Sequence, residues 1–307
     1  MKITPIDGES VVSEKISPIH HPTTLAPRVR HGHTNGRPTS VQVRPQTVSV
    51  IVPAINEQQN IGWVLKRIPP TVDEVVLVDG YSVDRTVDIA RAVREDIVVV
   101  RQNAHGKGEA LRAGFAATNC DIIVMIDADG SMDPAELDRF VTPLMNGYDF
   151  VKGSRFLSGG GSTDLTPLRR LGNNALVRLA NTLFLIRFTD LCYGYCSFRR
   201  ECLPALALSA TGFEIETELA LHAIKANLRI AEVPSTELPR RSGMSNLHTF
   251  RDGQRVLRTL VRERVSSRPR PVVDPIDQRA LHHWSTTAKA LAAGSPREAW
   301  TGESSVS

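Results

Sequence analysis

Between Val48 and Lys152 the chain alternates short apolar runs with longer amphipathic segments. Few folds accept that rhythm. The runs cover residues 48–54, 74–79, 97–101, 122–127 and 150–152. Each has the length of a strand, and unbroken apolar character suits strands covered on both faces. The intervening segments 57–68, 84–94, 108–117 and 134–146 read as helices. Asn56 is the expected cap of the first and Asp133 of the last, where Pro134 begins the first turn. This alternation predicts an α/β fold, a mostly parallel sheet flanked by helices. Ligands of such sheets lie beyond the carboxyl ends of the strands.

Carboxylates gather at those ends. Glu57 follows the first run, Asp79 closes the second, and Asp127 and Asp129 close the fourth in Asp121-Ile-Ile-Val-Met-Ile-Asp127-Ala-Asp129-Gly130. Hard oxygen ligands there suit Mg2+ or Mn2+ that also holds a diphosphate. A bare Asp-x-Asp is common in surface turns, so its weight comes from its place at a strand mouth. No Gly-x-Gly-x-x-Gly follows the first run, and Gly106-Lys107-Gly108 lacks the spacing of a P-loop. A nucleotide is then held by carboxylates on base and ribose and by a metal on its phosphates.

Beyond residue 153 helices are expected at 168–185, 201–208, 214–226 and 247–264, with one strand at 230–233. Glu214 and Glu216 stand near a helix start, where the helix dipole accounts for them more simply than the alternative, a role in the site. On the last helix Arg251, Arg255, Arg258 and Arg262 share a face, and Phe250, Leu257, Leu260, Val261 and Val265 make much of another. Two readings are open: a basic amphipathic helix lying on anionic lipid, or, more plainly, a surface helix packing its apolar side on the domain.

The formal net charge of +4 is mild. It fits an anionic ligand or membrane surface and demands no nucleic acid partner. Cys120, Cys192, Cys196 and Cys202 form no Cys-x-x-Cys pair and read as reduced thiols. Residues 1–46, with His20, His21, His31 and His33, and residues 266–307 read as disordered arms around one domain, 47–265. Segment 175–188 is too short and too charged to cross a bilayer. The N-terminus lacks a signal pattern, so a cytoplasmic protein is expected, at most peripheral at the inner face of the membrane.

A set of motifs, taken in order, resembles the family 2 glycosyltransferases of the GT-A fold, most of all the polyprenol- or dolichol-phosphate mannosyl- and glucosyltransferases. The set begins with Val50-Ile-Val-Pro53-Ala-Ile-Asn56-Glu57 and Val78-Asp79-Gly80-Tyr-Ser82-Val-Asp84-Arg-Thr86. Gly106-Lys107-Gly108, Asp127-Ala-Asp129-Gly-Ser131, Gly153-Ser154-Arg155-Phe156 and Pro167-Leu-Arg169-Arg170 come next. Thr189-Asp190 to Phe198-Arg199-Arg200 and Arg240-Arg241-Ser-Gly243-Met-Ser245 complete it.

The resemblance implies roles. Pro53, Glu57 and Asp79 hold the nucleoside of a GDP- or UDP-linked sugar, with Gly106 and Lys107 beside the base. Asp127 and Asp129 bind the metal and the donor diphosphate. Arg155, Arg170 and Arg240, with Ser245, receive the acceptor phosphate. Asp190 is the candidate base if the acceptor is a hydroxyl, so Asp129, Asp190 and Arg155 are the expected catalytic residues. A polyprenyl phosphate is already anionic and needs no base; residue types leave lipid and small soluble acceptors both open, and a non-catalytic sugar-nucleotide binder as a third class. The chain departs from the family pattern at Ser131, where Gln is frequent, at Asn246, where Lys is frequent, and at Gly194-Tyr195.

Overall fold

In a computed structural model the protein is described over residues 17–18, 45–243 and 249–266. The expected arms, with their histidines, lie almost wholly outside the described residues, as do Ser245 and Asn246.

The elements run β1 (Ser17–Pro18), β2 (Val48–Ala54), α1 (Ile61–Arg67), β3 (Glu74–Asp79), α2 (Thr86–Val93), β4 (Val98–Arg101), α3 (Lys107–Ala117) and β5 (Ile122–Met125). Then come α4 (Leu137–Met145), β6 (Phe150–Ser154), β7 (Gly161–Ser162), α5 (Pro167–Phe184), β8 (Cys196–Arg199), α6 (Leu203–Leu206), α7 (Ile215–Lys225), β9 (Ile230–Pro234), β10 (Thr236–Glu237) and α8 (Thr249–Val265). The main sheet has the order β1-β9-β6-β8-β5-β2-β3-β4. Strands β4, β3, β2 and β5 are parallel neighbours, and β6 pairs in parallel with β9. Strand β8 runs antiparallel between β5 and β6, and the two-residue β1 runs antiparallel to β9, so a mostly parallel sheet carries one reversed strand at its centre and another at its edge.

Both faces are covered, which is why the strands read as unbroken apolar runs. Val50, Val52, Val75 and Leu77 face one core with residues of α1 and α4. Ile51, Val76 and Val78 face the other with α3, α6 and α7. Strand β8 was not anticipated. It is four residues long, lacks β-branched side chains, and buries Cys196, Ser197 and Phe198 alike, so no alternation marks it.

The first helix departs from expectation. It starts at Ile61, and Asn56 has φ 55°, so Asn56 is not its cap. Instead Asn56 Oδ1 accepts from Val83 N at 2.9 Å, while Glu57 N donates to Thr86 Oγ1 at 2.7 Å and Gln58 N to Asp84 Oδ2 at 3.1 Å. Side chains of the 82–86 loop thus hold residues 56–58 in a turn, and Glu57 is aimed by that turn rather than by a helix. Asp133 does cap its helical turn, accepting from Ala135 N at 3.0 Å.

Helices α5 and α8 pack together over Val177, Ala180, Val256 and Leu260. Only Leu260 of the five apolar residues expected on one face of α8 is buried; Phe250, Leu257, Val261 and Val265 are exposed, Phe250 by 77%. The buried side of α8 carries Asp252, Val256, Thr259, Leu260 and Glu263. The exposed apolar stripe therefore lies on the opposite side of the helix, and the plainer expectation of that stripe packing on the domain is corrected. Apart from Ile55, Val83 and Met145, the strongly exposed large apolar residues among those described are on α5, its cap Leu185, and α8.

Candidate active site

The turn after β2, the loop after β5, the first residue of α3, the first turn of α7 and the segment after β10 bring four carboxylates and two cations into one cluster. Lys107 Nζ lies 2.6 Å from Asp127 Oδ1 and 2.6 Å from Glu216 Oε1. Arg240 spans Glu57 and Asp129, with Nη1 3.2 Å from Asp129 Oδ2 and Nη2 donating to Glu57 Oε1. Asn60 Nδ2 holds the second oxygen of Glu57 at 2.6 Å, and Ser131 N holds Asp129 Oδ1 at 2.9 Å.

Burial, and to a lesser degree like charge, shifts the acidities of the cluster. Burial lifts Asp127 to about 6, with Asp129 and Glu216 adding to the rise against the pull of Lys107. Burial likewise raises Glu57 above the ordinary carboxylate range, against the hydrogen bond from Asn60 and the charge of Arg240. For Lys107, burial alone would disfavour the ammonium, but Asp127 and Glu216 outweigh it and hold the group charged.

Asp79 ends β3 beside Ala54 in register, one strand from the cluster. Its carboxylate is nearly enclosed and accepts from Ser82 N at 3.1 Å. Pro53 pairs with Val78 within the same ladder. Gly106 has φ 119°, and a Cβ there would stand 2.2 Å from Thr211 O. Only glycine lets the start of α3 approach the 210–212 loop so closely.

This sheet, with carboxylates at its strand ends, can be set beside known proteins. The sequence profile of glycosyl transferase family 2 matches residues 49–206. The chain belongs to that family. It is 33% identical over 219 residues to the dolichyl-phosphate hexose transferase of Haloferax volcanii, covering 70% of this chain and 92% of that protein. It is 33% identical over 223 residues to the polyprenol monophosphomannose synthase of Mycolicibacterium smegmatis, covering 67% and 83%. Among solved structures, glucosyl-3-phosphoglycerate synthase from Mycobacterium tuberculosis, in complex with Mn2+, UDP-glucose and phosphoglyceric acid, superposes with a TM-score of 0.59. That likeness is 28% in sequence and covers 71% of this chain and 80% of the other. The fold is therefore GT-A and the protein a glycosyltransferase.

In this family 2 enzyme the expected acceptor residues fall into two groups. Arg155 and Asp190 form a buried bidentate pair: Nε donates to Oδ2 at 2.7 Å and Nη2 to Oδ1 at 3.0 Å. Arg155 N and Cys192 N add bonds to the same carboxylate at 3.2 and 3.3 Å, and Asp190 is 0% exposed. Arg155 Nη1 also meets Glu237 Oε2 at 3.0 Å. Glu232, which burial pushes up to about 7, accepts from the backbone of Thr189 and Asp190 and fixes that loop from beneath. Arg170 is exposed, its guanidinium 5.6 Å from the Phe156 ring that Arg155 also faces. Arg240, expected with the acceptor, instead lies on Glu57 and Asp129.

Residue-type reasoning missed Glu216, Asn60 and Glu237. Glu216 was legible only as a helix-start carboxylate; nothing local says that Lys107 faces it. Glu237 belongs to a two-residue strand whose pairing with β7 has no sequence signature.

Proposed function

We propose that this enzyme moves a hexose from a GDP- or UDP-linked donor to a polyprenyl phosphate, with inversion at the anomeric carbon. Asp127 and Asp129 supply the hard oxygen pair that fits a Mg2+ or Mn2+ ion, and Glu57 and Asp79 flank the nucleoside. Such an ion, when bound, offsets the charge that grows on the departing diphosphate. Lys107 orients Asp127, and Ser131 N orients Asp129.

The observation that supports a phosphate acceptor is the state of Asp190. A hydroxyl nucleophile needs a base within reach of its proton. Asp190 is enclosed, and its oxygens accept four N–H groups from Arg155 and Cys192, so it is poorly placed to take a proton. A phosphate monoester needs orientation by arginines rather than deprotonation. Arg170, exposed beside Phe156, suits that task.

The α5–α8 surface supports the lipid. Phe250, Leu257, Val261 and Val265 line the outward side of α8, with Arg251, Arg258 and Arg264 exposed beside them. This pattern suits a helix resting on an anionic membrane. Among the described residues no helix is long and apolar enough to cross one. A soluble phosphorylated acceptor is the second reading, favoured by the phosphoglyceric acid in the solved relative.

The test is a transfer assay with Mn2+, GDP- and UDP-hexoses, and either a short polyprenyl phosphate or 3-phosphoglycerate. Lipid-linked product is expected. Product on phosphoglycerate alone selects the second reading, and no product with any pair overturns both. Asp129→Ala should abolish metal-dependent nucleoside diphosphate binding while leaving the fold intact.

A further inference from the structure

Arg240 sits where an acceptor residue should not. Its guanidinium bonds Asp129 Oδ2 and Glu57 Oε1, and its Nε donates to Ser242 O at 2.8 Å. The segment that carries it is laid along the loop after β5. Leu238 N donates to Ser131 O at 2.8 Å, and Arg241 N to Asp129 O at 3.2 Å. Arg241 stacks on Trp63 at 4.7 Å, and Asn60 Nδ2 reaches Ser242 O at 3.1 Å. The backbone is thus clasped on both sides of Arg240, while the Arg240 side chain rests on a carboxylate of the Asp-x-Asp pair.

Charge adds to the geometry. Glu57, Asp127, Asp129 and Glu216 face Lys107 and Arg240, so the cluster keeps an excess of two negative charges, which one divalent cation would balance. Asp129 cannot give Oδ2 to a cation and to Arg240 at full strength, because two positive groups on one oxygen repel. A nucleoside diphosphate changes the balance. Its oxygens offer a guanidinium bidentate bonds at least as strong as those to a carboxylate.

We propose that Arg240 couples metal loading to nucleotide loading: it competes with the divalent cation for Asp129 until a nucleoside diphosphate draws it away. The proposal rests on the donor reading of the Asp127/Asp129 site. Thermodynamic reciprocity then requires Mn2+ to tighten nucleotide binding by the same factor that nucleotide tightens Mn2+. The metal enters with the donor rather than ahead of it.

The experiment is calorimetric titration of Mn2+ into the full chain, alone and with saturating UDP or GDP, for the wild type, Arg240→Ala and Arg240→Lys. Coupling of this kind is typically about 5- to 150-fold. Without nucleotide, Arg240→Ala should bind Mn2+ about tenfold more tightly than wild type, with Arg240→Lys between them. The enhancement of Mn2+ affinity by nucleotide should shrink in the same order. Arg240→Lys retains a cation on the clasped segment, so its intermediate rank guards against a folding artefact. Equal or weaker nucleotide-free Mn2+ affinity in Arg240→Ala overturns the coupling while leaving the donor site standing. No Mn2+ binding by any of the proteins, with either nucleotide, overturns both.

Discussion

Lys107 and Glu216 are 109 positions apart in the chain, yet their charged groups meet at 2.6 Å. The contact joins the start of α3 to the first turn of α7 and sets the ammonium against Asp127. The geometry of the proposed donor site therefore depends on a helix from the second half of the chain.

That dependence can be probed without touching a charged group. A Cβ at Gly194 would stand 2.5 Å from Glu216 Oε1 and 3.1 Å from Met132 Cε, both ends of flexible side chains. Gly194→Ala should cost only about 1 kcal/mol of stability, the low end for overpacking. Nucleoside diphosphate affinity should nevertheless fall, because Glu216 must leave Lys107. A melting curve and a calorimetric titration on the same sample separate the two effects; unchanged affinity counts against the Lys107–Glu216 contact as part of the site.

The Arg155–Asp190 pair should behave as buried ion pairs do. Asp190→Asn leaves the Arg155 guanidinium short of charge in an enclosed site and should cost about 3–5 kcal/mol. Replacing both partners by leucine should cost less than that single change. Urea denaturation of the set measures this. If Asp190→Asn instead keeps its stability and loses turnover by several orders of magnitude, Asp190 is a base and the acceptor is a hydroxyl.

Helix α8 is tied to α7 by a charge network with a defined acid limit. Burial alone would raise Glu263, but Lys225 Nζ at 2.6 Å and His222 Nε2 at 3.0 Å draw it down to about 2. The unfolded chain protonates this carboxyl near pH 4.3. The folded form holds off the proton until about 2. The stabilisation is thus present above the ordinary carboxylate range and lost as pH falls through that window. The protection of amides 249–265 against exchange, relative to the intrinsic rate at each pH, should fall between pH 5 and pH 3. Glu263→Gln should flatten that dependence, and an unaltered pH profile in this variant refutes the assignment.

The outward side of α8 predicts where the protein resides during turnover. Leu257→Glu with Val261→Glu places carboxylates on an exposed stripe, so the fold should tolerate them within about 0.5 kcal/mol. Flotation with vesicles containing anionic lipid should fall severalfold, and wild-type binding should weaken with salt. Undiminished flotation of the double variant places membrane contact elsewhere.

Much of the proposed donor side was readable from the chain because its signals are local. A strand buried on both faces must be apolar at every position, as Val48–Ala54 and Glu74–Asp79 nearly are, and both strands have the expected bounds. Residues directly after such a strand must lie at its carboxyl end, so Glu57, Asp79, Asp127 and Asp129 could be placed at one edge without a structure. Strand β5 is shorter than read, ending at Met125: Ile126 N makes the last ladder bond to Ile51 O at 3.2 Å, and Asp127 N leaves the ladder for Met132 Sδ. The turn at Asn56 was misread because Asn serves equally as a helix cap and as a left-handed turn residue.

The chain by itself determined the strand–helix alternation, the edge at which the carboxylates collect, and the family to which the chain belongs. Period and residue type carry that information over a few neighbouring positions. Tertiary structure alone decided that Arg240 lies on Asp129, 111 residues away, that Lys107 faces Glu216, and that Arg155 is sealed onto Asp190. It also decided that the apolar stripe of α8 faces outward. Such pairings depend on how distant elements pack, and a charged side chain bears no local mark of the partner it will meet.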